Sequence, residues 1–394
     1  MKIHILYLCS CLILLSGCWD KRELQELGIT LAIGIDKEEE DYLVSVQMIV
    51  PSELSMNGGA GNSQITLVEA KGKTLYQAIN KLTETSPRPI YPGHLQILVI
   101  SSELAEEGIA EALDYFTRNW EVRSDFYIAI SKDKKAKDVL NVQTPLEVAP
   151  IQMFYTLKET NKTIGYSTTV TLVEVIQDFQ RVGNQAVMGV VDIEGKMEKA
   201  SSKENIETIT PGAILKFGGL AVFKKDKLVG WLDDKESKMY NILTNHIGAT
   251  VEQVACPKAG QVDLDIKKSK TTIKSRMDSG VPSIEIHINK EGSIAAVECR
   301  IDLLDEQNIK ELEEEFQKKL TGLIEGTVKK VQRDYNSDIF GFGRAFYEQH
   351  PKGWKKMEGQ WDEIFPNLEV VVDVNLQIKQ MGATHNSFLE KIRD

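Results

Sequence analysis

Six histidines and five cysteines are the residues of this chain best suited to acid–base, nucleophilic or metal chemistry. Their spacing serves none of these. His94, His246, His287, His350 and His385 follow the N-terminal segment, and none stands in H-E-x-x-H or another metal-ligand spacing. His94 directly follows Pro92-Gly93, where a turn is expected, and His287 falls on the polar side of an alternating run, where it should meet water. No Cys/His group has zinc spacing, and no G-x-S-x-G elbow offers an activated serine. Gly341-Phe342-Gly343 lacks the third glycine of a dinucleotide loop and follows a helical stretch instead of a strand. Glu311 and Glu313-Glu314-Glu315 read as a solvated helix face. No catalytic, metal or cofactor-binding residue is therefore expected, and the chain reads as a non-enzyme.

Cys18 is the exception. Lys2 supplies a basic start, residues 5–15 are apolar, and Leu15-Ser16-Gly17-Cys18 precedes the polar Trp19-Asp20-Lys21-Arg22-Glu23. A charged start, a short apolar core and small residues before a cut describe a secretory signal. The Leu-Ser-Gly-Cys order resembles a bacterial lipobox, in which the thiol is acylated and the chain is cut just before it. Ser16 and Gly17 leave room for a peptidase beside a lipidated sulfur. Cys18 is thus the expected S-diacylglyceryl and N-acyl site. The alternatives are an uncleaved anchor or a signal whose Cys is incidental, and residues 3–19 reach only the lower length limit for spanning a bilayer. A buried methylene contributes about 0.8 kcal/mol and one acyl chain anchors only marginally, so two chains suit a stable attachment. Trp19 either sits among headgroups or simply begins a tether.

The body behind this anchor is acidic. The 394 residues carry 47 Lys+Arg against 58 Asp+Glu, a formal charge of −11. Removal of residues 1–17 takes away Lys2 and no acid. Such a balance argues against nucleic-acid binding and against docking on anionic lipid by charge alone. Charged residues at 27% and hydrophobic ones at 42% are ordinary globular usage and exclude a disordered or multi-spanning chain. Cys9 and Cys11 leave with the signal. For Cys256 and Cys299 two separate buried thiols are expected, with one Cys256–Cys299 bridge as the alternative.

The elements fall into three groups. Strands are expected at 29–36, 42–50, 64–70, 95–100 and 126–130, and helices at 74–85, 102–118 (Ser102 as N-cap) and 136–140. A flexible loop is expected over 51–62. Strand and helix alternate here, as in an α/β domain. The middle shows helices at 145–160 and 169–181, a strand at 186–193, an exposed polar excursion at 195–208, and a hairpin of 213–223 with 228–231. The last part starts with a helix at 238–245. Strand-like runs follow at 251–256, 262–266, 271–277, 284–288 and 294–299. A long helix at 306–335 has Asp305 as N-cap. Its apolar stripe is Ile309, Leu312, Phe316, Leu320, Leu323, Val328 and Val331, opposite Glu314/Lys318 and Glu315/Lys319 pairs. Gly322 and Gly326 within it suggest close packing or a bend, and a strand at 368–381 closes the chain. The expected organisation is a signal peptide at 1–17, an N-terminal α/β domain at 18–140, a middle α+β domain at 141–233 and a C-terminal domain at 234–394. The last is mostly antiparallel sheet packed with the long helix. The fold class is α+β or mixed α/β: a three-domain elongated lipoprotein with mixed sheets flanked by helices.

Several blocks together resemble one family. Gly17-Cys18-Trp19-Asp20-x-Arg22-Glu23, Asp36 at the end of the first strand, Pro92-Gly93-His94-Leu95, and Gly218-Gly219-Leu220-Ala221-Val222-Phe223 occur in order. Asp338-Ile339-Phe340-Gly341-Phe342-Gly343, Pro351 and Trp354 follow. This set is similar to the Ger(x)C family of spore germination lipoproteins, the C subunits of nutrient germinant receptors. The resemblance implies a non-enzymatic, lipid-anchored subunit on the outer face of the spore inner membrane. Its implied partners are an integral-membrane transporter-like subunit and a second membrane subunit with a large soluble domain. It implies a three-domain mixed α/β fold and transfers no catalytic residue; only Cys18 has a matched role.

Two other classes share the anchor. A solute-binding lipoprotein of an uptake transporter would have the same charge and size but two lobes of strand–helix alternation around a ligand cleft. A lipid-anchored envelope hydrolase would need a nucleophile or metal spacing that the chain lacks. Consecutive strands followed by one long helix in the second half count against the first.

Overall fold

The computed structural model describes residues 27–49, 65–86, 88–144, 153, 156–159, 164–256, 260–299 and 301–380. Among the described residues thirteen strands form two sheets. The first nine are β1 (Gly28–Glu38), β2 (Asp41–Ile49), β3 (Ile65–Gly72), β4 (Ile90–Tyr91), β5 (Ile97–Ser101), β6 (Tyr127–Ser131), β7 (Val187–Gly195), β8 (Ala213–Lys224) and β9 (Lys227–Leu232). They make one sheet in the order β3-β2-β1-β5-β6-β7-β8-β9, with β4 beside the start of β1. The centre, β1-β5-β6-β7, is parallel, and antiparallel hairpins extend it on both sides. The segments 18–140 and 141–233 therefore contribute strands to the same sheet.

Burial follows from this order. All five residues of β5, Ile97-Leu98-Val99-Ile100-Ser101, are buried, as a central parallel strand covered on both faces requires. On one face Ile33, Val46, Leu98, Ile100 and Ile130 pack under helices Leu75–Lys81, Ser102–Glu107, Ala110–Arg118 and Leu172–Gln180. On the other, Ala32, Ile97, Val99, Ala129 and Val191 pack under Ala136–Leu140 and the turn that carries Leu157. The fold class is confirmed as mixed sheets flanked by helices.

The second sheet, β10 (Thr250–Ala255), β11 (Gln261–Asp278), β12 (Val281–Val297) and β13 (Glu369–Gln380), has the order β10-β11-β12-β13. The last pair is parallel, so the chain must cross over between them. It does so through the helix Glu306–Lys330, whose Leu312, Phe316, Leu320, Ile324 and Val328 lie on the sheet. Asp305 caps this helix by accepting from the Gln307 amide at 2.9 Å.

Several expectations are corrected. The five strand-like runs between 251 and 299 are three strands. β11 and β12 are 18 and 17 residues long and turn at Ser279 and Gly280, both at positive φ, as a two-residue hairpin demands. The 102–118 helix is two helices capped first by Ser101, because Gly108 (φ 132) leaves the helical path and Ile109 N donates to the Asp226 carbonyl at 3.0 Å. Residues 195–208 are not a free excursion. Buried Asn205 donates to the Gln143 and Ala213 carbonyls and pins two short helical turns. Leu323 is 37% exposed and Ile324 takes its place in the stripe. A Cβ on Gly322 or Gly326 would meet nothing within 4 Å, so neither serves close packing. Lys319 donates to the Gln253 carbonyl at 2.7 Å instead of pairing with Glu315.

Cys256 and Cys299 form a disulfide, not two separate thiols. Cys256 follows β10 and Cys299 follows β12, and both strands end beside Gln261 at the start of the intervening β11. Pairing register brings the two sulfurs together. The expected helix at 145–160 is seen at 153 and 156–159, and its remainder lies outside the described residues. The 51–62 loop lies outside them too.

Candidate functional site

Cys18, Trp19 and His385 lie outside the described residues. The Gly218–Phe223 and Asp338–Gly343 blocks meet at a buried junction between the two sheets. Asp338, buried, accepts from the Phe342 amide at 3.0 Å, the Gly343 amide at 2.7 Å and the Trp361 indole at 3.1 Å. Burial pushes its carboxyl up to about 6 although three donors hold the anion. Gly341, at φ 73, lets the chain turn into the helix Phe342–Gln349. Arg344 N donates to the Gly183 carbonyl and Gln185 N to the Asp338 carbonyl, both at 2.9 Å. Ser337 donates to the Phe223 carbonyl at 2.5 Å and Tyr335 to the Trp231 carbonyl at 2.7 Å.

The Gly218–Phe223 block is the other half of this seam. Gly218 faces the Asp234 carboxylate, and Gly219 N donates to the Tyr166 carbonyl at 2.8 Å with φ at 81°. Phe340, Phe342, Phe346, Trp354, Trp361 and Phe365 pack into one aromatic cluster of stacked, tilted and edge-on rings beneath it. With Phe342 fully buried, the 341–343 block packs and presents no side chain to a partner. Asp36 plays a local role of the same kind. It accepts from Ala136 N at 2.6 Å and Lys137 N at 3.0 Å, and so caps the helix Ala136–Leu140. Burial raises its carboxyl against the pull of those amides. Pro92 and Gly93 are buried in a 3₁₀ turn, and His94 is exposed at its end.

Among the described residues no histidine is gathered into a site. His246 stacks on Tyr240, and burial lowers its pKa. His287 faces Asp373 at 3.2 Å on the open side of the second sheet, and His350 meets the Ser275 carbonyl at 2.9 Å. Among the described residues no group of three or more His, Cys, Asp or Glu is placed to hold a metal.

Two features escaped the sequence reading. Lys290 is fully buried on β12, in the inward parity of Ile284, Ile286 and Ile288. Its ammonium lies 3.7 Å from Glu252, which also pairs with Lys238 at 3.1 Å, and Phe316 covers it. Burial pulls the Lys290 pKa down to about 8. The inward parity was the available signal. The second feature is an open cleft of about 540 Å³ lined by Tyr42, Tyr76, Tyr115 and Trp120 with Glu111 and Asp114. Its rings come from three separate segments: Tyr42 from β2, Tyr76 from the helix Leu75–Lys81, and Tyr115 and Trp120 from the helix Ala110–Arg118 and its exit.

Residues 20–193 match the family described as "Spore germination protein N-terminal domain", and residues 218–382 the one described as "Spore germination B3/ GerAC like, C-terminal". Spore germination protein KC of Bacillus subtilis strain 168 is 31% identical over 392 residues, spanning 97% of this chain and 96% of the relative. The chain belongs to the Ger(x)C family of spore germination proteins. Spore germination protein A3 of the same organism is 27% identical, with 97% and 98% of the two chains covered. The crystal structure of the GerBC protein shares the fold at a TM-score of 0.55 and 21% identity, over 90% of this chain and 99% of that one. The Gly218–Phe223 and Asp338–Gly343 blocks, with Trp354, thus mark the interior seam of the fold.

Proposed function

We propose that this chain is a lipid-anchored, non-enzymatic subunit of a nutrient germinant receptor, required for spore germination. It acts through contacts with a transporter-like membrane subunit and a second membrane subunit, on the outer face of the spore inner membrane. The observation that carries this reading is the 31% identity with spore germination protein KC over 97% of the chain. The Leu-Ser-Gly-Cys sequence ending at Cys18 supports the anchor. Among the described residues no helix is long and apolar enough to cross a membrane. In this reading attachment rests on acyl chains at Cys18. Confinement to one membrane face raises the effective concentration of membrane partners, so a modest interface suffices. The uptake alternative calls for two lobes of strand–helix alternation; in the second sheet β10, β11 and β12 follow one another with no helix between them among the described residues.

The test is Cys18→Ala. Labelling with a radioactive fatty acid should vanish and nutrient germination should weaken, while agents that bypass receptors still act. Unchanged labelling would overturn the anchor. Normal nutrient germination of spores lacking the protein would overturn the receptor role.

A further inference from the structure

Trp120 is 87% exposed and Tyr76 68% exposed, and both line the cleft between the helices Leu75–Lys81 and Ala110–Arg118. The cleft continues into a second groove of about 260 Å³ that shares Tyr76, Tyr115 and Asn119 and reaches Pro89, Ile90 and Pro92. Solvent-facing aromatic rings gathered along one groove mark an interaction site better than single exposed apolar residues do. Tyr and Trp are also the residue types that anchor protein interfaces. The cleft is too large for one side chain and suits a segment of several residues.

Charge selects the segment. Residues 102–121 carry six carboxylates, Glu103, Glu106, Glu107, Glu111, Asp114 and Glu121, against one cation, Arg118. Arg118 is engaged by Asp114 at 2.6 Å, and Glu107 pairs with Lys37 at 3.6 Å. Glu111, which lines the cleft, has only the Tyr42 hydroxyl at 3.4 Å among the described residues. Lys73 stands on the opposite lip and forms no ion pair among the described residues. The field across the cleft thus runs toward the acidic helix. The lining itself balances Glu111 and Asp114 against Lys73 and Arg118, and with Asp114 engaged by Arg118 the carboxylate left to take a partner's cation is Glu111. Lys37 already lies 4.9 Å over the Tyr42 ring, so Tyr76, Tyr115 and Trp120 supply the cation–π surface for an Arg or Lys head and the apolar bed for its stem.

We propose that this cleft receives a basic segment of a partner protein, with an Arg or Lys over the tyrosine rings facing Glu111. Apolar neighbours of that residue run along the groove toward Pro92. The proposal rests on the receptor-subunit reading and names the surface through which that subunit makes a contact.

The probe is a photo-crosslinker placed as Trp120→p-benzoylphenylalanine in the full lipidated chain in spores, with mass spectrometry of the adduct. The expected adduct is one protein segment with an Arg or Lys within about three residues of the crosslink. Glu111→Lys should cut its yield at least tenfold without changing the melting temperature, because Glu111 is exposed. Changing that partner residue to Glu should restore the yield with Glu111→Lys. An acidic or uncharged segment, a lipid adduct, no adduct, or quenching by free arginine at millimolar concentration would each overturn the proposal. Germination separates the two levels. If deletion leaves germination normal, the receptor reading fails. If deletion blocks it but the Trp120→Ala, Glu111→Lys double variant germinates normally, only the cleft proposal fails.

Discussion

Gly183 and Gly343 cross backbone against backbone. A Cβ on Gly183 would lie 2.7 Å from the Gly343 Cα and 2.6 Å from the Arg344 nitrogen, and one on Gly343 would lie 2.7 Å from the Gly183 Cα. The loop before β7 thereby docks on the helix Phe342–Gln349, and the two sheets are joined where no side chain fits.

Gly183→Ala should be costly for two reasons. The residue sits at φ 66, which an L side chain rarely adopts, and its Cβ meets backbone that has no rotamer to yield. Overpacking of this kind costs about 1–3 kcal/mol. A melting temperature equal to that of the native chain would show that the crossing opens without penalty.

Asp338→Asn should also destabilise. The carboxylate accepts three donors, Phe342 N, Gly343 N and Trp361 Nε1, whereas an amide presents an NH₂ group to at least one of them. Leaving a buried donor unmet costs about 1–3 kcal/mol. Urea unfolding at pH 7 measures it, with the indole fluorescence of Trp361 and Trp354 reporting the seam. Midpoints that coincide would refute the acceptor role.

Removing the disulfide tests the pairing of β10 with β12. The crosslink joins residues 43 apart, and a loop of that size confines the unfolded chain by about 4 kcal/mol in the chain-entropy account. Cys299→Ser should lower the melting temperature to that of the reduced native chain. Two thiols titratable in the oxidised protein would contradict the bridge.

Legibility varied with the range of the interaction. The helix Ala136–Leu140, the cap at Asp305 and the apolar β5 were readable because each is encoded by a few adjacent residues. The break at Gly108 was missed because its partner, Asp226, is more than a hundred positions away on the β8–β9 turn. The Cys256–Cys299 bond depends on register across three strands, which cysteine counting does not contain. Gly341-Phe342-Gly343 stood out as a motif, but its task emerged only when Gly183 lay opposite. The cleft was invisible because Tyr42, Tyr76, Tyr115 and Trp120 share no period.

The helix stripe gives a clean contrast. Phe316 is buried against the second sheet, while Glu314 is exposed two residues earlier. Phe316→Ala should cost about 3–5 kcal/mol, the range for truncating a buried Phe. Glu314→Ala should barely shift the transition. Equal melting temperatures would mean that the helix is rotated from the face described.

Lys290 and Glu252 give a prediction in pH. An unfolded chain holds the Lys290 proton up to the ordinary value near 10.5, whereas the folded chain releases it near 8. Between those values the unfolded state binds more protons, so stability rises with pH across that window and the penalty is fully present below it. Lys290→Met should abolish this rise. It should be tolerated at neutral pH, because Glu252 keeps Lys238 at 3.1 Å. Glu252→Gln is the opposite case. It strands two cations, Lys238 and Lys290, without the anion between them, and breaking a buried pair this way costs about 3–5 kcal/mol. Denaturant midpoints taken from pH 7 to pH 10.5 for the three proteins decide it. A native chain whose stability is flat over that range, or a Glu252→Gln variant as stable as the native one, would show that Lys290 carries no buried charge.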